Sequence, residues 1–532
     1  MMGRQQEPGR LFGYHVNLDK RVRAEHPLRR IKALVDFSFV HAEVAAYYGY
    51  NGNESVDPEV ILKMMFLLFY EDIASERELM RVLPERLDYL WFLGYGIDDE
   101  VPDHSVLSKA RRRWGPKVFE GLFVRTVQQA VGLGLVDGRK VYMDASLVQA
   151  NASKDSVVKG SPKLLAALKQ VYAEQERKLQ EAPEVLGEDE GRAKERGPTE
   201  SENEKAEGAP RHERTHKGLM STTDPDAPVV RQGRLEARPR YMSHRAVDDA
   251  HGVITGVQST GGDANEAHEM VGLLEQHERH TGKKPGVVVA DAKYGTTENF
   301  RECSRRGLRS HMADLSATQK DTGRRKDIFP ESNFVYDRET DTYRCPAGQT
   351  LKRRRHQKKR QAYEYTAGPP VCRACSLKSQ CTRSGGGRSL KRHEDHEAIQ
   401  AARAESRGRE ARRDRRRRRH LMEGSFADAA NNHHFKRSRW RGLFKQKIQD
   451  FLIAAIQNIR LLLRCLRRST RGILAGIKGT APSAWASFLW LCGLIGLLGR
   501  PAPPSQTRWP RFPASRSSPP FATIFSPYFA NT

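Results

Sequence analysis

Three acidic residues, far apart in the chain, have the types and settings needed for metal-dependent chemistry on a phosphate ester. Asp144 lies in "GRKVYMDASLVQANAS", Asp291 in "GVVVADAKYG" and Glu423 in "RRHLMEGSFADAANN". Three converging carboxylates repel one another unless cations neutralise them, and such hard oxygen ligands suit Mg²⁺ or Mn²⁺. Two such ions activate an attacking oxygen and stabilise the leaving oxygen in a displacement at phosphorus.

Simpler explanations exist for two of these acids taken singly. Asp291 has the position of a helix cap, since Gly295 supplies a turn into a following helix. Glu423 has the spacing of an i,i+4 ion pair with Arg419 on a solvated helix, worth only a few tenths of a kcal/mol. The metal-site hypothesis therefore depends on whether the three carboxylates meet.

The elements predicted around the acids make a meeting plausible. Val141 and Met143 alternate with polar-facing neighbours as in a half-buried strand that ends on Asp144. The run "GVVVA" reads as a fully buried strand that ends on Asp291, and "YMSHRAV" with "GVITGVQST" reads as a strand pair. Mixed sheets commonly place a functional group at the C-terminal end of a central strand. The arginine-rich stretch before Glu423 has helix-forming composition. We predict an α/β domain.

Charge points to a polyanionic partner. Lys and Arg number 91 against 65 Asp and Glu, a formal net charge of +26, which favours nucleic acid over a generic basic surface. Two clusters are candidate contacts to the DNA backbone, with a solvated or packed helix end as the alternative for each. The first closes the helix-turn-helix-like "VPDHSVLSKARRRWG", and the second lies in "HHFKRSRWRGL". Their basic residues are Arg111, Arg112, Arg113, Lys436, Arg437, Arg439 and Arg441.

Four cysteines form a candidate zinc site. Cys345 stands in "YRCPAGQTL", and Cys372, Cys375 and Cys381 follow in "PPVCRACSLKSQCTRS". Two cysteines three residues apart can chelate one ion, and structural zinc needs four ligands in a tetrahedron. The alternatives are reduced thiols, or a site in which His356 or His393 replaces one cysteine.

Other segments limit cellular location and order. The N-terminus has no apolar core of a secretion signal, which favours a cytoplasmic protein. The apolar run at 485–500 is shorter than the ~20 residues that span a bilayer, so we predict a buried helix, with a membrane span as the second choice. Residues 155–238 are charged and poor in large apolar side chains, which predicts an insertion that is largely disordered.

The order of these motifs resembles that of bacterial insertion-sequence transposases with an RNase H-like DDE core. The resemblance rests on "MMFLLFYEDIASERELM", "VPDHSVLSKARRRWG", "MDASLVQANAS", "VVVADAKYGT", the spaced cysteines and "RHLMEGSFADAANNHHFKRSRWRGLFKQKIQDFLIAAIQNIRLLL". It covers about residues 30–466. Each motif is weak alone, whereas the ordered set is specific.

The resemblance implies a residue-by-residue assignment. Asp144, Asp291 and Glu423 would be the catalytic ligands of one or two Mg²⁺ or Mn²⁺ ions, and Tyr294 matches the tyrosine that often follows the second aspartate. Arg419 matches the arginine of the Tyr-Arg-Glu-Lys signature and would touch DNA phosphate. The outer two positions depart from the signature, because Arg416 replaces the tyrosine and Ala430 the lysine that is thought to grip DNA near the cut.

The resulting prediction is an α/β protein with an RNase H-like mixed sheet, an N-terminal all-helical domain and a Cys-rich zinc-binding insertion. It would cleave the ends of its element and join them to target double-stranded DNA as a homo-oligomer, with no membrane contact. The alternatives are a decayed transposase that only binds DNA and a nuclease that never joins ends. The expected segments are 1–29 N-terminal; 30–118 helical DNA-binding domain; 135–154 with 239–313 core; 155–238 disordered insertion; 314–392 Cys-rich insertion; 393–470 catalytic-Glu helix and C-terminal helices; 471–532 tail.

Overall fold

A computed structural model describes residues 16–48, 55–181, 219–231, 236–314, 328–358 and 361–477. Residues 1–465 form one compact unit, and 466–532 form a second, of which only the end of one helix is described. The predicted apolar run at 485–500 and all but the first residues of the predicted tail lie outside the described residues, as does the centre of the charged insertion.

The N-terminal part is helical, as predicted. Asp57 caps α4 by accepting from the Glu59 N–H, and Pro58 starts that helix, whose residues from Ile61 to Phe69 are all buried. Ser75 caps α5 by accepting from the Glu78 N–H, and the Glu78 carboxylate pairs with Arg81. The helices are α1 Leu18–Arg21, α2 Pro27–Leu34, α3 Phe39–Val44, α4 Pro58–Tyr70, α5 Glu76–Val82, α6 Leu87–Leu93 and α7 Ser105–Gly132.

A kink divides α7. Gly115 has φ +69° inside it, and Pro116 follows, so the basic end of the predicted helix-turn-helix segment is separated from the apolar second half. That second half packs against the main sheet and the C-terminal helices through Phe119, Leu122 and Phe123.

The main sheet is mixed and has the order β6-β5-β1-β7-β8, with β4 pairing the start of β5. The strands β5 and β6 are antiparallel to their neighbours, whereas β1, β7 and β8 are parallel to one another. The central β1 is buried on both faces at Val141, Tyr142 and Met143, so the prediction of a half-buried strand is wrong. The strands are β1 Lys140–Gln149, β4 Val229–Val230, β5 Arg238–Asp248, β6 Ile254–Gly261, β7 Val287–Val289 and β8 Arg309–Ser310. In the sequence, α9 (Met270–Thr281) connects β6 to β7, and α10 (Thr297–Arg306) connects β7 to β8.

Both described ends of the charged insertion contain regular elements, and the prediction that 155–238 is largely disordered stays a prediction for the residues between them. The strands β2 (Val157–Lys159) and β3 (Leu219–Ser221) pair antiparallel, and α8 (Pro162–Glu181) follows β2. Asp224, fully buried, accepts from the Tyr241 hydroxyl of β5 and from the Gly442 N–H. The returning end is therefore tied to the core by buried polar contacts.

A second, antiparallel sheet with its own small core occupies the predicted Cys-rich insertion. Its order is β13-β12-β11-β10-β9, and Tyr343, Leu351 and Tyr365 lie at its centre. It comprises β9 Val335–Asp337, β10 Thr342–Arg344, β11 Thr350–Gln357, β12 Ala362–Thr366, β13 Ser389–His393, with the short helices α11 Pro369–Arg373 and α12 Lys378–Cys381.

Three helices complete the described chain: α13 His396–Ser406, α14 Arg409–Asn432 and α15 Leu443–Ile477. The apolar residues of α15 between 448 and 462 enter the main core. None of the helices in the described ranges is long and apolar enough to cross a membrane.

Candidate functional site

The two aspartates lie at one edge of the main sheet. The strand β1 pairs with β7 only over Lys140–Tyr142, and Asp144 comes two residues beyond this parallel ladder. Asp291 comes two residues after Val289, the last residue of β7. Since parallel strands end at the same edge, the two carboxylates are brought together. Asp144 lies inside β1, which continues to Gln149 along β5, so the prediction that its strand ends there is wrong.

Arg418 of α14 contacts both aspartates. One terminal nitrogen of its guanidinium donates to Asp144 Oδ2 at 2.5 Å, and the other is 3.8 Å from Asp291 Oδ1. Burial raises the pKa of Asp144 above its ordinary value, while the Arg418 guanidinium opposes that shift and the Asp291 charge adds to it. The pair is thus an anionic site that already accommodates a cation.

Each aspartate is also held by the backbone. The Ala145 N–H donates to Asp144 Oδ1 at 2.9 Å, and the Ala292 N–H donates to Asp291 Oδ1 at 2.7 Å. Asp291 therefore caps the short helix that follows it, as one of its two interpretations predicts. Capping uses one oxygen, and Asp291 remains 44% exposed. The cap and a role as a metal ligand are compatible.

Glu423 does not join the aspartates in this structure. Its side chain is exposed, on α14, about 140° around the helix axis and about 7.5 Å along it from Arg418. Among the described residues, the carboxylate oxygens of Glu423, Asp144 and Asp291 do not all lie within 4.8 Å of one another. Arg419 is exposed beside it, and neither residue forms an ion pair with another described residue. The convergence of the three acids stays a prediction.

Buried contacts set the rotation of α14. Asp414, 2% exposed, accepts from the Lys140 ammonium of β1 and from His311 Nδ1, both at 2.7 Å. The apolar residues Met422 and Phe426 continue the same inner face. His311, Glu410 and Asp414 have the proximity of a metal site, with ligand atoms within 4.8 Å of one another. Each acid of this cluster has its own basic partner, Lys140 for Asp414 and Arg309 for Glu410, so we assign the cluster a structural role.

Arg245 is a site-building residue that the sequence prediction missed. It is fully buried on β5 directly opposite Asp144, and its guanidinium lies 4.6 Å from the Phe426 ring and 4.8 Å from the Phe435 ring. It donates to both oxygens of Ser425, two residues after Glu423. These hydrogen bonds connect β5, the strand beside Asp144, to the helix that carries Glu423. The available signal was that this arginine stands in "YMSHRAV", which the sequence predicts to be a strand.

Lys293 is a second missed cation beside the aspartates. Burial lowers its pKa, but the Glu266 carboxylate, 2.5 Å from the ammonium, outweighs this, and the charges of Asp291 and Asp144 raise the pKa further. Glu266 is 8% exposed, so the pair is anchored in the fold. The aspartate pair therefore has two basic side chains near it, Arg418 and Lys293.

The candidate DNA contacts divide into buried and exposed groups. Arg111 is 3% exposed, pairs with Glu76 and stacks on the Trp440 ring at 4.0 Å. Arg439 pairs with Asp72. The prediction that these two contact DNA is corrected, because the N-terminal helices pack against the segment after α14 and enclose both guanidiniums. The partly or fully exposed candidates are Arg112, Arg113, Arg419, Lys436, Arg437 and Arg441.

The four cysteines line one apolar cavity at the base of the second sheet, next to Phe334 and Leu351. None of the described cysteines is in a disulfide. Among the described residues no three of the sulfurs lie within 4.8 Å of one another, whereas tetrahedral zinc holds sulfurs about 3.8 Å apart. His356 pairs with Glu394, and His393 accepts from the Asp395 N–H, so both histidines have other partners. The cysteines are neighbours, and their zinc remains a prediction.

Gly295, which follows Asp291, gives a testable prediction. A Cβ at this position would overlap the Ala313 carbonyl, which is backbone and cannot move aside. We expect Gly295→Ala to lower the free energy of unfolding by at least about 1–3 kcal/mol. The measurement is chemical denaturation. In the control, Gly132→Ala, the new Cβ meets nothing within 4 Å at the end of α7. Equal free energies of unfolding for the two variants would contradict the close approach of Gly295 to the Ala313 carbonyl.

Comparison with protein families now adds to this geometry. Residues 16–113 match the model "Transposase domain (DUF772)", and residues 344–463 match the model "Transposase DDE domain". The second match includes Glu423 and the cysteines, while Asp144 and Asp291 lie between the two. No curated protein matches the sequence. The order of the two matches confirms the resemblance to insertion-sequence DDE transposases, with one transposase domain before the two aspartates in the sequence and the DDE domain after them.

Proposed function

We propose that this protein is the transposase of an insertion sequence. It binds the terminal repeats of its element in double-stranded DNA, cleaves the strand at those ends and joins them to target DNA. The observation that carries the proposal is the pair Asp144 and Asp291 at one sheet edge, with the Arg418 guanidinium in contact with both. The two transposase family matches lie before and after this pair in the sequence. We further propose that it acts in the bacterial cytoplasm, on nucleoid DNA, as a homo-oligomer.

The strand order supports an RNase H-like core. Three antiparallel strands in the order β6-β5-β1 continue into the parallel strands β7 and β8. Asp144 then lies on the first strand of the core and Asp291 just after the fourth. The second sheet occupies the long connection between the fifth strand and α14. This is the arrangement that the resemblance implies.

The residues present fit a divalent metal ion. Aspartate oxygens are hard ligands, and the Arg418 guanidinium shows that positive charge is accepted between them. Asp144 and Asp291 would hold Mg²⁺ or Mn²⁺, with Glu423 as the expected third ligand and two ions as the expected number. When bound, such ions supply Lewis-acid activation of the attacking and leaving oxygens.

The chain's own residues would position the DNA. The exposed basic groups near the site offer planar or point-charge contacts to phosphate, and the formal charge of +26 draws the duplex to this surface. With the backbone held in line, water attacks the phosphodiester and releases a 3′-hydroxyl. That hydroxyl then attacks a target phosphodiester directly, forming a bond to the target 5′-phosphate and releasing the target's own 3′-hydroxyl, without a covalent enzyme intermediate.

Lys436 offers the cation that Ala430 lacks. The helix α14 ends at Asn432, and the next segment runs beside β1, where the Gln149 N–H donates to the Lys436 carbonyl at 2.9 Å. The Lys436 ammonium donates to Ser146 Oγ at 2.7 Å, and Ser146 shares a strand face with Asp144. The break after α14 thus returns a lysine to the strand that carries the first aspartate.

We expect Lys436→Gln to slow DNA cleavage by about 10- to 100-fold, the rate equivalent of losing a charged hydrogen bond of ~1.5–3 kcal/mol. Adding Ala430→Lys to that variant should restore part of the rate, because 430 is where the family places its lysine. The measurement is the single-turnover cleavage rate on element-end DNA. A rate unchanged by Lys436→Gln would assign that lysine to surface structure.

The test of the proposed function is an assay on DNA that carries the flanking terminal repeats, with Mg²⁺ or Mn²⁺. We expect metal-dependent cleavage at the ends followed by joined products. Specific binding without cleavage would identify a decayed transposase, and cleavage without joining would identify a nuclease. Either result would overturn the proposal.

A further inference from the structure

Arg418 differs from the other arginines of its run. Of the five arginines at 415 to 419, all in the described helix, it is the buried one, with 9% exposed. Its terminal nitrogens contact Asp144 and Asp291, and its buried Nε has no hydrogen-bond partner among the described residues. The two aspartates are therefore the polar groups that hold this guanidinium.

We propose that Arg418 is a resident counter-cation that competes with the metal ion for the aspartate pair, so that metal binding requires its guanidinium to leave. This inference rests on the proposed function, which makes the same aspartates metal ligands. It assigns a positioning role to a residue that precedes the signature arginine by one position.

Occupancy of the carboxylate oxygens makes the competition direct. Asp144 Oδ1 accepts from the Ala145 N–H, and Asp144 Oδ2 accepts from Arg418. An ion entering between the aspartates would need Oδ2 and would face a positive guanidinium within contact distance. Because like charges in a partly buried site repel, the ion and the guanidinium cannot both stay.

The same contacts explain why the arginine is kept. Without a cation, two carboxylates at one sheet edge would repel each other, and burial of Asp144 would increase the cost. Arg418 neutralises them in the metal-free protein and keeps their side chains oriented toward a common centre. It therefore stabilises the empty site and weakens the apparent affinity for metal.

The experiment is titration of the full chain with Mn²⁺ by calorimetry, for the wild type, Arg418→Gln and the control Arg416→Gln. Arg416 is exposed two residues away on the same helix, so the control removes the same charge without removing the contact. We expect Arg418→Gln to bind Mn²⁺ about 5- to 150-fold more tightly, the range usual for coupled equilibria, and Arg416→Gln to match the wild type. The melting temperature of metal-free Arg418→Gln should be lower than that of the wild type, and Mn²⁺ should raise it by more than it raises that of the wild type. Equal or weaker binding by Arg418→Gln would overturn the proposal.

A second measurement uses the unmodified protein and so does not depend on the folding of a variant. Phenylglyoxal labelling with mass spectrometry should modify Arg418 only when Mn²⁺ is present, whereas Arg416 should react equally in both states. Protection of Arg418 that persists with bound Mn²⁺ would also overturn the competition.

The double variant Asp144→Asn with Asp291→Asn separates this inference from the proposed function. If it binds Mn²⁺ as well as the wild type, the aspartates are not the metal site and both proposals fail. If it loses Mn²⁺ while Arg418→Gln leaves affinity unchanged, the metal site stands and only the competition fails.

Discussion

Asp144→Asn is expected to abolish metal-dependent DNA cleavage while specific DNA binding persists. The amide keeps the size of the side chain but removes the charge that a divalent ion needs, beside a second carboxylate at the same sheet edge. Loss of the ion removes several kcal/mol of charge stabilisation in the transition state, which is at least about 10³-fold in rate. The measurement is the cleavage rate on element-end DNA in Mg²⁺, beside an electrophoretic binding assay on the same DNA.

Companion variants make that result specific. Asp291→Asn should lose as much activity as Asp144→Asn, because both carboxylates face the same cation. Asp263→Asn is the matched control, since this aspartate is exposed in the turn after β6. Wild-type rates for either active-site variant would refute the assignment.

Glu423→Gln decides the role of the third acid. An equal loss of cleavage would mean that Glu423 reaches the ion in the DNA complex, although it faces solvent in this structure. Full activity would leave Glu423 as a surface residue of α14 and would reduce the metal site to the two aspartates.

The second large effect is expected from the cysteine cavity. Replacing Cys372 and Cys375 together by Ser should remove one bound zinc and unfold the second sheet locally. Structural zinc contributes about 10–16 kcal/mol in small zinc-folded peptides, far more than the few apolar residues of this sheet can replace. The measurements are zinc released on denaturation and hydrogen exchange across residues 335–393.

Cys465→Ser is the matched control for the zinc experiment, because this cysteine is free, partly exposed and outside the cavity. Protein purified without added chelator that holds no zinc, with hydrogen exchange unchanged in the double variant, would establish reduced thiols instead. Loss of zinc with the sheet intact would limit the ion to a local role.

Local patterns were sufficient for much of the fold. The buried run of α4, the strand pair β5–β6 and the strand before Asp291 follow from hydrophobic periodicity and turn residues, which act over a few neighbouring positions. The same patterns failed at β1. Whether one face of a strand meets water depends on what packs on it, and β1 proved to be central and covered on both faces.

Contacts between distant segments were not predictable in this way. The sequence contains five consecutive arginines, and nothing in their spacing distinguishes Arg418 from Arg419. The choice depends on the rotation of α14, which the buried ion pair of Asp414 with Lys140 fixes across a separation of 274 residues. The sequence likewise gives no sign that Arg111 and Arg439 are buried. Both are enclosed where the N-terminal helices pack against the segment after α14.

By itself, the sequence indicated the class of chemistry, the resemblance to DDE transposases, the acidic residues that are candidates for the site and the basic character that suits DNA. These follow from residue type, motif order and net charge, which need no coordinates. Only the tertiary structure decided that Asp144 and Asp291 meet at one sheet edge, that Arg418 lies between them, and that Lys436 returns to β1. Each is a contact between segments far apart in the chain, set by how helices and strands pack rather than by local preference.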